Sequence, residues 1–476
     1  MKVYPLYLSG EWVTTESSKP VINPATGDPF AEISMIGRDR VEVALEAAHD
    51  AFKSWRKLPG KVRGVYLHRI ADNLDERKDE IAKTITLENG KPLQQSHAEI
   101  GLAVDHLHWF AEEAKRAYGR IVPNQVEGKR HLVIKAPMGV VGAISPWNFP
   151  LVLAVRKVAP ALAAGCTVVL KPATQTPLCA VAFAECVHAA ELPKGTFQLV
   201  AGPAPEIAAE FLENRLCRKI TFTGSTEVGR LLISGAAKSV KPLSLELGGH
   251  APAIVFEDAD LNRSVDAAMI AKFRNTGQSC IASNRIYVQR GIYDRFLPAF
   301  VERTKALNVG DGLEEGVDIG PLIDEAGLNK ALEHIQDAVA QGARLNCGGE
   351  RITGRKGFFI QPAVLSDVPH DALCMREETF APIAPISVFD TEEEVINLAN
   401  DTIYGLSAYV FTTNLDRAFR VMESLESGMI SINDGVPSTS QCPFGGVKQS
   451  GWGRELGLEG MEAFLETRHV SMGLEI

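Results

Sequence analysis

Val140-Val141-Gly142-Ala143-Ile144 is a short apolar run that opens the rhythm on which the fold depends. A helical segment follows at 151–164, then Thr167-Val168-Val169-Leu170, a second helical segment at 178–190, and Phe197-Gln198-Leu199-Val200. Apolar strands alternating with helices predict a parallel sheet, because a strand that runs parallel to its predecessor needs a long crossover to return to the same edge. The rhythm resumes after Gly249, in Ala251-Pro252-Ala253-Ile254-Val255-Phe256 and Ile286-Tyr287-Val288, and predicts a second α/β domain with a boundary near 250. Upstream, Val41, Leu45, Ala48, Phe52 and Trp55 recur at helical spacing, as do Ile100, Val104, Leu107 and Phe110. Residues 121–137 and 465–472 alternate as strands do and stand outside both patterns, so they are expected to pair with one another or with another subunit.

A chain of 476 residues exceeds the size at which one core keeps growing, so two or three domains are expected. With 45% hydrophobic and 23% charged residues the composition is that of a globular protein, and a net charge of -10 argues against nucleic acid held on a basic surface. Cysteines 166, 179, 186, 217, 280, 347, 374 and 442 have no close paired spacing; they suggest neither a disulfide framework nor a metal site, and point to a reducing cytoplasm. Met1-Lys2-Val3-Tyr4-Pro5 does not read as a signal peptide. The most apolar tract, Val158 to Leu170, is too short to span a bilayer and contains Pro160 and Gly165, so no membrane partner is expected.

Chemistry concentrates in a few stretches. Phe273-Arg274-Asn275-Thr276-Gly277-Gln278-Ser279-Cys280 sets a thiol a few residues after an arginine, a nucleophile and an anion clamp in one segment. Alone, such a cysteine reads more readily as a small buried hydrophobe. Phe222-Thr223-Gly224-Ser225-Thr226-Glu227-Val228-Gly229 reads as strand, glycine turn and helix start, where a phosphate would meet free N–H groups; an ordinary capped turn is the other reading, and the three-glycine dinucleotide fingerprint is missing. Lys171, directly after a strand, falls at the carboxyl end of the sheet, where ligands of open α/β folds collect. Glu246 lies between leucines and before two glycines, an apolar setting that raises a carboxyl pKa toward that of a general base. Asn148, between prolines and aromatics, is an immobile amide that could stabilise an oxyanion; losing such a donor costs about 2.7–4 kcal/mol of barrier.

Pro-Trp-Asn-Phe-Pro at 146–150, Lys-Pro-Ala at 171–173, Phe-Thr-Gly-Ser at 222–225, Leu-Glu-Leu-Gly-Gly at 245–249, Gly-Gln-Ser-Cys at 277–280, Glu-Glu-Thr-Phe at 377–380 and Pro-Phe-Gly-Gly-Val-Lys-Gln-Ser-Gly at 443–451 follow one another in this order. In that order the chain resembles the NAD(P)-dependent aldehyde dehydrogenases from end to end. The resemblance implies two open parallel-sheet Rossmann-like domains, a cofactor domain at 1–122 and 142–249 and a catalytic domain at 250–456. It adds a small β oligomerisation element at 123–141 and 457–476, and with it a homodimer or homotetramer. It implies that Cys280 attacks an aldehyde, that Asn148 and the Cys280 N–H hold the oxyanion, and that Glu246 activates the water that hydrolyses the thioester. Trp147, Gly224, Ser225, Gly229, Glu378 and Phe380 are then expected along the cofactor, with Ala381 departing from the family's usual glycine.

Arg156 and Arg274 match positions that bind the distal carboxylate in succinate-semialdehyde dehydrogenases, and Ser438 matches a third contact. Two guanidiniums in an aldehyde pocket need an anion, since an unpaired buried charge is costly. Succinate semialdehyde is the expected substrate, with glutarate semialdehyde, 2-oxoglutarate semialdehyde or a broader aldehyde range as alternatives. Thr174 stands where many NAD-specific relatives carry a glutamate, so NADP is expected to be accepted or preferred, with NAD the other cofactor. Ala282 stands where some of these enzymes carry a second cysteine, so no redox disulfide is expected there. Two readings come from other classes. A cofactor-free cysteine hydrolase is disfavoured because no histidine falls near any motif. A catalytically silent binding protein of the same fold is disfavoured by the intact Cys280, Glu246 and Asn148.

Overall fold

The computed structural model describes residues 1–475. Its first sheet has eight strands, in the order Gly451–Trp452, Leu243–Glu246, Cys217–Thr223, Val140–Ile144, Thr167–Lys171, Phe197–Leu199, Leu6–Leu8 and Glu11–Val13. The five middle strands are mutually parallel, as the alternation predicts. Both edges are antiparallel, which the periodicity did not foretell: the amino-terminal hairpin closes one, and Gly451–Trp452 returns from the far end of the chain to close the other. Strands this short carry too few residues to express a period. The helix Val152–Ala164 is buried at every position, because it lies between this sheet and the helices Leu93–Glu113 and Gly60–Glu76.

The chain leaves the first sheet at Glu246 and enters the second at Ala251. That sheet has seven strands, in the order Arg344–Cys347, Ala363–Ser366, Ile383–Phe389, Ser283–Gln289, Ala251–Val255, Ser407–Phe411 and Met429–Ile432, all parallel except the first. Lys129–Pro137 pairs antiparallel with Leu465–Gly473 along its whole length, and Arg120–Val122 adds a third strand. A further small sheet, Val3–Tyr4, Pro29–Ser34 and Ser18–Ile22, was not expected. Among the described residues no helix is long and apolar enough to cross a membrane.

Candidate active site

In the first sheet the chain moves from Val140–Ile144 outward through Thr167–Lys171 to Phe197–Leu199, then returns to lay Cys217–Thr223 on the other side of Val140–Ile144. The strand order reverses between those two neighbours, and the helices that follow them diverge, opening a crevice at their carboxyl ends. A cavity of about 210 Å³ lies there, walled by Trp147 and Asn148 from one strand end, Thr223, Gly224 and Ser225 from the other, and Gly248 and Phe380. Ser225 caps the helix Thr226–Ala237 by accepting from the Val228 N–H. Trp147 meets Phe380 edge to face at 5.4 Å between ring centres. Glu378 also lines this cavity; its Oε1 accepts the Gly249 N–H at 2.9 Å, and burial lifts its pKa to about 7. An apolar slot ending in one buried carboxylate suits a flat ring on a hydroxyl-bearing sugar, so these residues fit a nicotinamide ribose.

Cys280 is reached through a strained turn. After helix Leu261–Phe273, Asn275, Thr276 and Gly277 adopt left-handed backbone at φ 52°, 58° and 71°. A buried, β-branched threonine in that region persists only where its surroundings over-determine it. Here the Asn275 N–H donates to Gln95 Oε1, its side-chain amide donates to the Asn148 carbonyl at 2.8 Å, and Thr276 Oγ1 donates to the Gly320 carbonyl at 3.1 Å. A side chain on Gly277 would lie 2.3 Å from the Ala381 carbonyl oxygen. The Asn148 side-chain amide donates to the Gln278 carbonyl at 3.1 Å, which ties the expected oxyanion donor to the thiol's own loop. Burial first, and the Glu378 and Glu246 carboxylates after it, push the Cys280 thiol up to about 12, against the opposing pull of Arg156 and Arg274.

Those arginines wall a second, narrower cavity of about 40 Å³, which shares only Cys280 with the first. Arg156 is 5% exposed; its Nη2 donates to Ser438 Oγ at 2.8 Å, and its guanidinium stacks over the Phe444 ring at 4.4 Å. Arg274 lies over the Phe149 ring at 5.3 Å. Among the described residues neither forms an ion pair. Of the carboxylates whose charge they feel, Glu455 and Glu99 are paired instead with Lys157 and Lys91, and Glu246 acts on Arg156 from a distance without an ion pair.

Glu246 lines neither cavity. It ends a strand held between Cys217–Thr223 and Gly451–Trp452, is 4% exposed, and its Oε2 has no hydrogen-bond partner. Burial first, and the neighbouring Glu455 second, hold its pKa well above the ordinary carboxylate value. Lys171 is buried, with its ammonium donating to the Pro172 carbonyl at 3.0 Å. Thr174 faces a separate groove with Lys19, Asp324 and Phe358. Gly229 faces Leu247, whose Cδ2 would lie 2.6 Å from an added Cβ, so it serves close packing of helix on strand. These three do not wall the cavity that reaches Cys280.

Several participants went unnoticed in the sequence. Phe149 and Phe444 lie inside motifs that were singled out, so their signal was available. The pair Lys91–Glu99 was not visible: Lys91 Nζ donates to the Asn148 carbonyl at 2.7 Å and to Glu99 Oε2 at 2.6 Å, both side chains fully buried. The expectation that no histidine falls near any motif needs correcting: His250 directly follows Leu-Glu-Leu-Gly-Gly, although it is buried and, among the described residues, neither ring nitrogen has a hydrogen-bond partner. His106, far from every motif, accepts a hydrogen bond from Arg156 Nε at 3.2 Å, although it touches the arginine and not the thiol.

Residues 12–470 match the model of the aldehyde dehydrogenase family. The chain is 48% identical over 469 residues to succinate-semialdehyde dehydrogenase [NADP(+)] GabD of Escherichia coli, covering 98% of this chain and 97% of that one. It is 47% identical, with the same coverage, to glutarate-semialdehyde dehydrogenase of Pseudomonas aeruginosa. The crystal structure of an E. coli NADP dependent enzyme superposes with a TM-score of 0.98 at 47% identity, over 99% of this chain and 98% of that one.

Proposed function

This chain belongs to the aldehyde dehydrogenase family, and from that premise we propose that it oxidises an aldehyde bearing a distal carboxylate, succinate semialdehyde first, to the dicarboxylic acid. The observation that carries this is the pair of guanidiniums, Arg156 and Arg274, set on the thiol's cavity without a protein carboxylate to neutralise them. Each charge-assisted bond to a substrate carboxylate contributes on the order of 1.5–3 kcal/mol. Glutarate semialdehyde, one methylene longer, and 2-oxoglutarate semialdehyde present the same anion.

Cys280 Sγ, its proton passing to water, forms a bond to the aldehyde carbon while the carbonyl π pair moves onto oxygen, giving the thiohemiacetal oxyanion. The Asn148 amide and the Cys280 N–H hold the oxyanion. Trp147, Gly224, Ser225, Glu378 and Phe380 would hold NAD(P), which would supply the hydride acceptor that turns the thiohemiacetal into the thioester. Glu246, which must rotate from its buried position to reach the thiol, takes a proton from the water that cleaves the thioester and frees the acid; its raised pKa suits that role. Lys171 and neutral Thr174 serve the adenosine ribose, where nothing acidic at 174 repels a 2′-phosphate, so NADP is accepted or preferred. Gly229 supports the cofactor through its helix. The cofactor domain is formed by 1–122 and 142–249 and the catalytic domain by 250–456. The paired strands within 123–141 and 457–476 join subunits into a homodimer or homotetramer. Eight free cysteines suit a reducing cytoplasm.

The test is steady-state kinetics with succinate semialdehyde, glutarate semialdehyde and butanal, each with NAD and with NADP, in the wild type and in Arg274→Ala. The variant is expected to lose about ten-fold or more in kcat/KM on the carboxylated aldehydes and little on butanal. Equal losses on butanal and the semialdehydes would sink the anion clamp.

A further inference from the structure

Four side chains from three parts of the sequence, Arg156 among them, form a continuous chain of hydrogen bonds. Arg156 Nε–H donates to His106 Nε2 at 3.2 Å. Because guanidinium is always a donor, Nε2 carries the lone pair, and the imidazole proton resides on Nδ1. His106 Nδ1, 2.7 Å from Ser440 Oγ, therefore donates to it, and the Ser440 hydroxyl in turn donates to Asp105 Oδ2. His106 is fully buried and Ser440 nearly so, and burial followed by the Arg156 charge holds the imidazole well below its ordinary pKa, which keeps it neutral. Ser438, two residues before Ser440, accepts from Arg156 Nη2 on the cavity side. The guanidinium is thus held at Nε by His106, at Nη2 by Ser438 and across its face by Phe444, which leaves Nη1 for a ligand.

Resting on the carboxylated-aldehyde reading above, we propose that His106 is a positioning residue for substrate specificity. Fixed in its Nδ1–H tautomer by Ser440 and Asp105, it sets the direction in which Arg156 presents its free edge to the substrate carboxylate. An arginine side chain has four rotatable bonds and several rotamers of similar energy. Without an acceptor at Nε the same charge would remain in the cavity, but its fork would no longer be pre-aimed. The relay also docks the 438–440 loop onto helix Leu93–Glu113, so the helix that carries Asp105 and His106 sets the far wall of the substrate cavity.

The experiment compares wild type, His106→Leu, His106→Gln, Ser440→Ala and Arg156→Leu, with succinate semialdehyde and butanal as substrates. His106→Leu is expected to raise KM for succinate semialdehyde about ten-fold, with kcat and the kinetics on butanal within about two-fold of wild type. His106→Gln, whose amide oxygen can accept from Nε, is expected to recover most of that loss, and Ser440→Ala to show a smaller rise in the same KM. A His106→Leu variant that loses kcat equally on both aldehydes, or a glutamine that rescues nothing, would overturn the positioning role. If Arg156→Leu discriminates between the aldehydes and His106→Leu does not, the relay alone is wrong. If Arg156→Leu does not discriminate either, the carboxylate reading itself fails.

Discussion

The two cavities that meet at Cys280 are built on opposite electrostatic plans. The side proposed for the cofactor is apolar with a buried carboxylate, Glu378, whose charge opposes ionisation of the thiol; the side proposed for the substrate is apolar with two guanidiniums that favour it. They also differ in how their charges are satisfied. Glu378 accepts a backbone N–H from Gly249, whereas Arg156 and Arg274 meet hydroxyl, imidazole and aromatic rings but no carboxylate. A cavity whose charge is answered from within can be filled by a largely apolar group. One whose charge is left unanswered selects an anion. In the proposed function, reaction type and substrate class are therefore set on different walls of one thiol.

The change with the largest expected effect removes the point the two sides share. Cys280→Ala is expected to abolish NAD(P)H formation, with a loss of about 10⁴-fold or more in kcat. Substantial turnover remaining in that variant would mean that the cavities do not converge on the thiol. Asn148→Ala is expected to cost about 10²–10³-fold in kcat on charged and uncharged aldehydes alike. A loss confined to the semialdehydes would move Asn148 from the oxyanion to the anion clamp. The smallest effect sharpens the contrast by sign. In iodoacetamide labelling of the enzyme without ligands, Arg274→Leu removes a charge that lowers the thiol pKa and should slow the reaction. Glu378→Gln removes one that raises it and should speed the reaction, but only above about pH 7, where that carboxyl is ionised. Each shift is expected to be about ten-fold or less. Changes of the same sign would refute the opposed fields.

The parallel sheets were legible because buried strands and amphipathic helices leave periodic traces, as at Val140–Ile144 and Val41 to Trp55. The pairing of Lys129–Pro137 with Leu465–Gly473 was anticipated as one of two options from alternation alone. The antiparallel edges were not, because Gly451–Trp452 and the strands of residues 6–13 are two or three residues long. In the site, Cys280, Asn148 and Glu246 stood out because glycine, proline or aromatic neighbours mark backbone that must approach something closely. Glu99 and His106 left no such mark, and Lys91, although it stands between Gly90 and Pro92, belongs to no stretch that carried chemistry by its residue types. Their meaning comes from tertiary contacts, Lys91 with the Asn148 carbonyl and His106 with Arg156, to partners 57 and 50 positions away.

The residues by themselves determined the chemistry: which side chains can attack, donate or bind an anion depends on functional groups, and their order along the chain was enough to group them. Only the tertiary structure decided their states. Whether a guanidinium is paired, which imidazole nitrogen carries the proton and which carboxyl remains protonated all depend on desolvation and on neighbours brought together by packing. No one-dimensional spacing encodes those distances.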